Sequence, residues 1–158
     1  MIVKRGSQAV RAGTTVVEVA LVLLVCLIFM FAIYEYGRFL MMRQLVENAA
    51  REGARQAVTG TNTVSTAQIQ NTVLQYLANQ PLQNASGSAL QASDIQVFQA
   101  NPATGHPATP DSTWNDAAFG SPIAVQVNAY YAPMLPTWGY LRTAAPVSAT
   151  AMMLSEAN

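Results

Sequence analysis

Residues 11–34 read RAGTTVVEVALVLLVCLIFMFAIY. From Val19 to Tyr34 there is no charged residue, and from Thr14 onward the run is interrupted only by Glu18. About 20 residues of helix cross the hydrocarbon core of a bilayer. A core helix of a soluble domain needs one apolar face, whereas this stretch is apolar on every face. Residues 14–34 are therefore expected to be a transmembrane helix. Lys4, Arg5 and Arg11 precede the run, while Glu35 and Arg38 nearly cancel after it. The positive-inside rule then keeps the N-terminus cytoplasmic and carries the rest of the chain across the membrane. A cleaved secretory signal peptide is the competing reading, but no A-x-A-like site follows the apolar run.

The composition agrees. Of 158 residues, 51% are hydrophobic and 10% charged, against roughly 25% charged in an average soluble protein. The formal net charge is zero, which leaves bulk nucleic-acid binding without an electrostatic basis. The charge is divided along the chain. Residues 1–55 carry seven basic and four acidic groups, a net +3, and the remainder carries −3. With one cysteine, Cys26, and one histidine, His106, the chain cannot form an intramolecular disulfide, a Cys-based metal site or a two-His metal motif. His106, between Gly105 and Pro107, has no partner that would make it a general base. Asp111, Asn115 and Asp116 do not have EF-hand spacing. The chain is not expected to be an enzyme, and no cofactor, metal or small-molecule substrate is implied.

Glu18 stands out, because a carboxylate near the start of a membrane helix is costly. Headgroup depth and the positive helix N-terminus would make it tolerable. The residues before it, Arg11-Ala12-Gly13-Thr14-Thr15-Val16-Val17, suggest another reason. A basic leader, a Gly and a Glu five residues later at the head of an apolar run resemble the processing site of type IV prepilins. Further on, Tyr34-Glu35-Tyr36-Gly37-Arg38 and Asn48-Ala49-Ala50-Arg51-Glu52-Gly53-Ala54-Arg55 are similar to the TadE-like family, minor pilins or pseudopilins of the tight-adherence (Flp-type) pilus system. The resemblance covers residues 11–58 and returns in Ala132-Pro133-Met134-Leu135-Pro136 and Val147 to Glu156. Val19 departs from the Glu-Tyr pair of major Flp pilins, which suits an accessory subunit. Met153 stands where family members often carry Arg.

The resemblance implies a leader, residues 1–13, removed after Gly13 by a prepilin peptidase, with Thr14 as the new N-terminus. It implies that Glu18, the fifth mature residue, serves processing and assembly. It also implies family-motif helix positions at Glu35, Gly37, Arg38, Ala50, Arg51, Glu52, Gly53 and Arg55. The implied partners are the membrane, the peptidase, other pilin subunits and Tad assembly proteins. The implied location is the bacterial cytoplasmic (inner) membrane, single-pass with its C-terminal domain extracytoplasmic, or the pilus itself. The alternative is an uncleaved single-pass protein whose outer domain binds an envelope partner or ligand.

No Pro occurs between Thr14 and Thr59, so residues 35–59 are expected to continue the membrane helix as a stalk. As one helix, 14–59 would be about 69 Å long. Met42, Leu45, Val46, Ala49, Gly53 and Ala57 recur at three- and four-residue spacing, an apolar face. Arg43, Glu47, Arg51 and Arg55 form a charged row, either a solvated face or a surface for pairing between subunits. Ala49, Gly53 and Ala57, with Ala50 and Ala54, are small enough for close backbone approach. They suit packing on the chain's own head or on a second subunit. Gly60 is expected to end the helix as a left-handed cap.

Residues 60–158 read as an α+β head. Ser65 or Thr66 caps a second helix with Ile69, Val73, Leu74 and Leu77 on one face, closed by Pro81. Residues 83–93 read as a polar loop. Strands are expected over Asp94–Gln99, Ile123–Tyr131 and Val147–Leu154, separated by a long loop at 100–121 and a turn at Pro133, Pro136 and Gly139. Helices followed by three strands suggest a small antiparallel sheet packed on the helices, a pilin-like fold. Trp114, Phe119, Trp138 and Tyr130-Tyr131 are core and loop packing or a partner surface.

Overall fold

The computed structural model describes residues 8–60, 63–108, 113–134 and 144–156, with side chains from Thr14 onward. Residues 1–7, Asp111, Pro136, Trp138 and Gly139 lie outside the described residues. The chain divides into two compact units, 1–37 and 38–158, although one helix, α1 (Gln8–Thr59), contributes to both. In the first unit α1 is exposed at every position from Thr14 to Tyr34, including Glu18 and Cys26. Within Thr14–Thr59 it is long and apolar enough to cross a membrane.

The second unit is a helix-on-sheet head. From Met42 to Val58, α1 buries Met42, Val46, Ala49, Ala50, Ala54, Ala57 and Val58. The face drawn by the three- and four-residue spacing is thus the core face of the head. Helix α2 (Thr66–Tyr76) begins at a Ser65 N-cap. Ser65 Oγ accepts from the Gln68 amide at 3.3 Å, and the Gln68 side chain accepts from the Ser65 amide at 2.8 Å. This capping box satisfies two of the donors that every helix start leaves free. Ile69, Val73 and Leu77 of the expected face are buried.

Four strands form one antiparallel sheet: β1 (Leu82–Gln83), β2 (Ile95–Gln99), β3 (Pro122–Tyr131) and β4 (Ala145–Leu154). β3 is central. β4 runs along one side of it through ten consecutive pairs, from Pro122↔Leu154 to Tyr131↔Ala145. β2 and β1 share the other side, with Ile95↔Val127 to Gln99↔Ile123 and then Leu82↔Tyr131. Strand alternation sets the layers. Ile123, Val125, Val127, Ala129 and Tyr131 face the helices with Ile95, Val147 and Ala149, and all are buried. The opposite face is polar along Gln96, Gln126, Asn128, Ser148 and Thr150. Phe98, Ala100 and Ala124 form a small cluster there.

Two expectations need correction. Residues 83–93 are more structured than a polar loop. Leu82-Gln83 pairs with β3, Gln83 bridges to Ala89, and Ala92–Asp94 is a short 3₁₀ turn. Asp94 therefore precedes β2, and its carboxylate accepts from the Gln91 amide at 2.8 Å. Gly60 is not a left-handed cap. Among the described glycines positive φ belongs to Gly87, Gly105 and Gly120. Gly60 instead keeps the helical bond to the Gln56 carbonyl (3.1 Å), and its own carbonyl accepts from the amides of Thr63 and Val64. A Cβ there would collide with the Val64 side chain, so the position needs glycine for space. The long loop at 100–121 also contributes to the core. Trp114 is 3% exposed and Ala117 5%.

Candidate functional site

The residues singled out by sequence sort into three groups. The first is the head of the apolar helix. Gly13 lies inside α1 in backbone terms, and Thr14 and Glu18 are exposed on it. Exposure on all sides of this segment is what lipid or a bundle of like helices would cover.

The second group is buried in the head. Ala50 is fully buried, and Gly53 sits where α1, α2 and β3 meet. A Cβ on Gly53 would lie 2.8 Å from Val73 Cγ2, 3.3 Å from Val125 Cγ1 and 3.5 Å from Ile69 Cγ2. Of the two partners open to the small-residue row, the chain's own head is therefore the one it meets. By contrast, a Cβ on Gly37 would touch nothing within 4 Å, so packing gives no reason for glycine there. Arg38 is half-buried, with its guanidinium 5.9 Å from the centroid of the Tyr131 ring, within cation–π range. Phe39 meets the same ring edge-on, with centroids 6.0 Å apart. Tyr131 thereby anchors the start of the head's portion of α1. Glu35, in the other unit, is half-buried.

The third group is the charged row. Glu47 lies between two arginines, Arg43 Nε and Arg51 Nη2, each at 3.5 Å. Arg51 also donates to Asn48 Oδ1 at 2.9 Å. Arg55 Nε donates to Glu52 at 3.0 Å. The Arg55 hydrogen bond holds the Glu52 carboxyl below its usual range, and the same bond raises the Arg55 guanidinium. These pairs are solvent-exposed, so they contribute little to stability.

The sequence leaves this row as either a solvated helix face or a surface for pairing between subunits. It does not reveal what lies beside it. Glu47 and Arg51 border a cavity of about 450 Å³ whose other wall is Ser148 to Met153 of β4. The neighbourhood depends on which sheet edge runs past α1, and no local pattern encodes that. Among the aromatics, Trp114 is core, with its indole Nε1 donating to Thr66 Oγ1 at 2.9 Å. Tyr131 is core too, whereas Phe119 is 75% exposed. His106, in the exposed loop, has its carbonyl accepting from the Asn101 amide at 2.8 Å.

No curated protein and no solved structure is significantly similar to the chain. Residues 13–55 match the family model described as TadE-like protein. The match takes in the Gly13-to-Glu18 spacing, the apolar run and the Ala50–Arg55 motif of the head. Over those residues the chain is similar to TadE-like proteins, and the matched stretch includes the part of α1 that is long and apolar enough to cross a bilayer.

Proposed function

We propose that the protein is a minor pilin of a Flp-type type IV pilus, cleaved after Gly13 by a prepilin peptidase and used in adhesion or secretion. Before assembly it sits in the bacterial inner membrane with its head outside, as the basic flank Lys4, Arg5 and Arg11 favours. The observation that carries the reading is Glu18, an acid exposed near the start of an otherwise apolar helix, five residues after Gly13.

Cleavage after Gly13 creates an ammonium at Thr14. In an apolar helix bundle that ammonium and a Glu18 carboxylate from a neighbouring subunit attract far more strongly than in water. Left alone, each is penalised by desolvation. The pair therefore rewards side-by-side packing of subunits. The motif Ala50 to Arg55 then serves two tasks. Ala50 and Gly53 fix the helix on its head, and Arg51, Glu52 and Arg55 stay available at the surface.

The test is Glu18→Ala in cells. Membrane insertion and removal of residues 1–13 are expected to persist while pilus assembly is lost. Normal piliation in that variant would sink the pairing.

A further inference from the structure

β4 is an edge strand. β3 occupies one of its sides, and no described residue pairs with the other. An open edge exposes a row of backbone N–H and C=O groups, which soluble proteins ordinarily blunt with charges, prolines or bulges. β4 has ten unbroken pairs to β3, no charged residue, and its one proline, Pro146, at the start. Six consecutive residues, Ser148 to Met153, line the cavity beside it. Successive strand residues point to opposite faces. A space lined by all six therefore opens onto the strand's edge.

The other wall is the pair Glu47 and Arg51. They are four apart on a helix, a rise of about 6 Å. Alternate residues of a strand lie about 6.6–6.8 Å apart on one face. A strand laid in the groove thus presents helix-facing side chains at nearly the helix's own spacing. Glu47 and Arg51 already pair with each other, Glu47 with Arg43 and Arg51 with Asn48, yet at 38% and 59% exposed each keeps open surface for a further partner. The complement is a base opposite Glu47 and an acid opposite Arg51, two positions apart. Within these 158 residues no Lys or Arg stands two positions from an Asp or Glu. Neither a segment of this chain nor a second copy supplies that pattern.

We infer that the free edge of β4 docks an extended segment of a different protein, added as a fifth strand, with a basic residue against Glu47 and an acidic one two positions away against Arg51. Main-chain bonds to β4 supply affinity, and the charge pair sets partner and register. The inference rests on the head alone and does not depend on cleavage or on Glu18.

The test uses the full chain in detergent micelles and fluorescent nine-residue peptides of alternating Val and Thr. The peptides carry Lys-x-Glu, Glu-x-Lys or Lys-x-Lys on one face, and strand direction decides which opposite-charge order fits. One of those two is expected to bind about tenfold more tightly than its backbone N-methylated form. It is also expected to bind about threefold more tightly than Lys-x-Lys. The double swap Glu47→Arg/Arg51→Glu keeps the exposed pair between these two positions, gives up the Arg43–Glu47 pair, and is expected to reverse the preferred order. Absence of binding, indifference to N-methylation, or an order preference that the swap leaves unchanged would each overturn the assignment. So would a chain found dimeric by light scattering whose dimer is broken by Arg51→Glu.

Discussion

Gly53 carries two opposed costs. Glycine inside a helix is worse than alanine by about 1 kcal/mol. A methyl group in its place would press on Val73 at 2.8 Å, and β-branched Val73 has little rotamer freedom to retreat. Overpacking of this kind costs about 1–3 kcal/mol. Gly53→Ala is therefore expected to lower stability by about 1 kcal/mol net, and Gly53→Leu by about 3 kcal/mol or more. In a Val73→Ala background the sign reverses: adding Gly53→Ala is expected to raise stability by about 1 kcal/mol, as the helix gains and the clash is gone. Thermal denaturation of the four full-length proteins in the same detergent checks this. An equal loss in both backgrounds would show that Gly53 is not placed by contact with Val73. The small-residue row was legible in the sequence as a site of close approach. Val73 and Val125 as the residues approached were not, because they lie 20 and 72 positions away. Gly60 shows the opposite limit. A glycine at a helix end suggests positive φ, yet here the constraint is the nearby Val64 side chain, which a local rule does not see.

The elements differ in how openly they declare themselves. β3 and β4 alternate over ten residues, and α2 has both a cap and an apolar face, so each was readable. β1 has two residues and no period to detect. It exists because Leu82 and Gln83 complete the side of β3 that β2 leaves vacant. The loop before β3 was legible as a loop but not as a structural tie. Trp114 reaches back 48 positions to Thr66, the first residue of α2. Two devices thus meet at the start of that helix, the Ser65 cap and the Trp114 hydrogen bond. Ser65→Ala is expected to cost about 1 kcal/mol through the lost cap. Trp114→Phe keeps a ring in the site and is expected to cost about 0.5–1.5 kcal/mol for the lost hydrogen bond, plus the partial cavity. Melting temperatures of the two variants measure both effects. No change for Trp114→Phe would remove the indole hydrogen bond as a stabilising tie.

At the scale of the whole molecule the chain joins two chemistries. Residues 14–34 are exposed and, Glu18 aside, apolar on every side, a surface that lipid or other helices would cover. Residues 38–158 bury an ordinary core and keep a charged helix row at the surface. The apolar segment and its basic flank were the most legible features, since composition alone carries them. The groove along β4 was the least legible, since it arises from two segments about a hundred residues apart. Glu18 links the two chemistries in the proposed function, and its role depends on a new N-terminus at Thr14. The measurement that tests this most directly is the intact mass, with N-terminal sequencing, of the protein purified from its native membranes. A chain that begins at Thr14 is the predicted result. A chain that still carries residues 1–13 would contradict the account, because no ammonium would then stand where Glu18 of a neighbour could meet it.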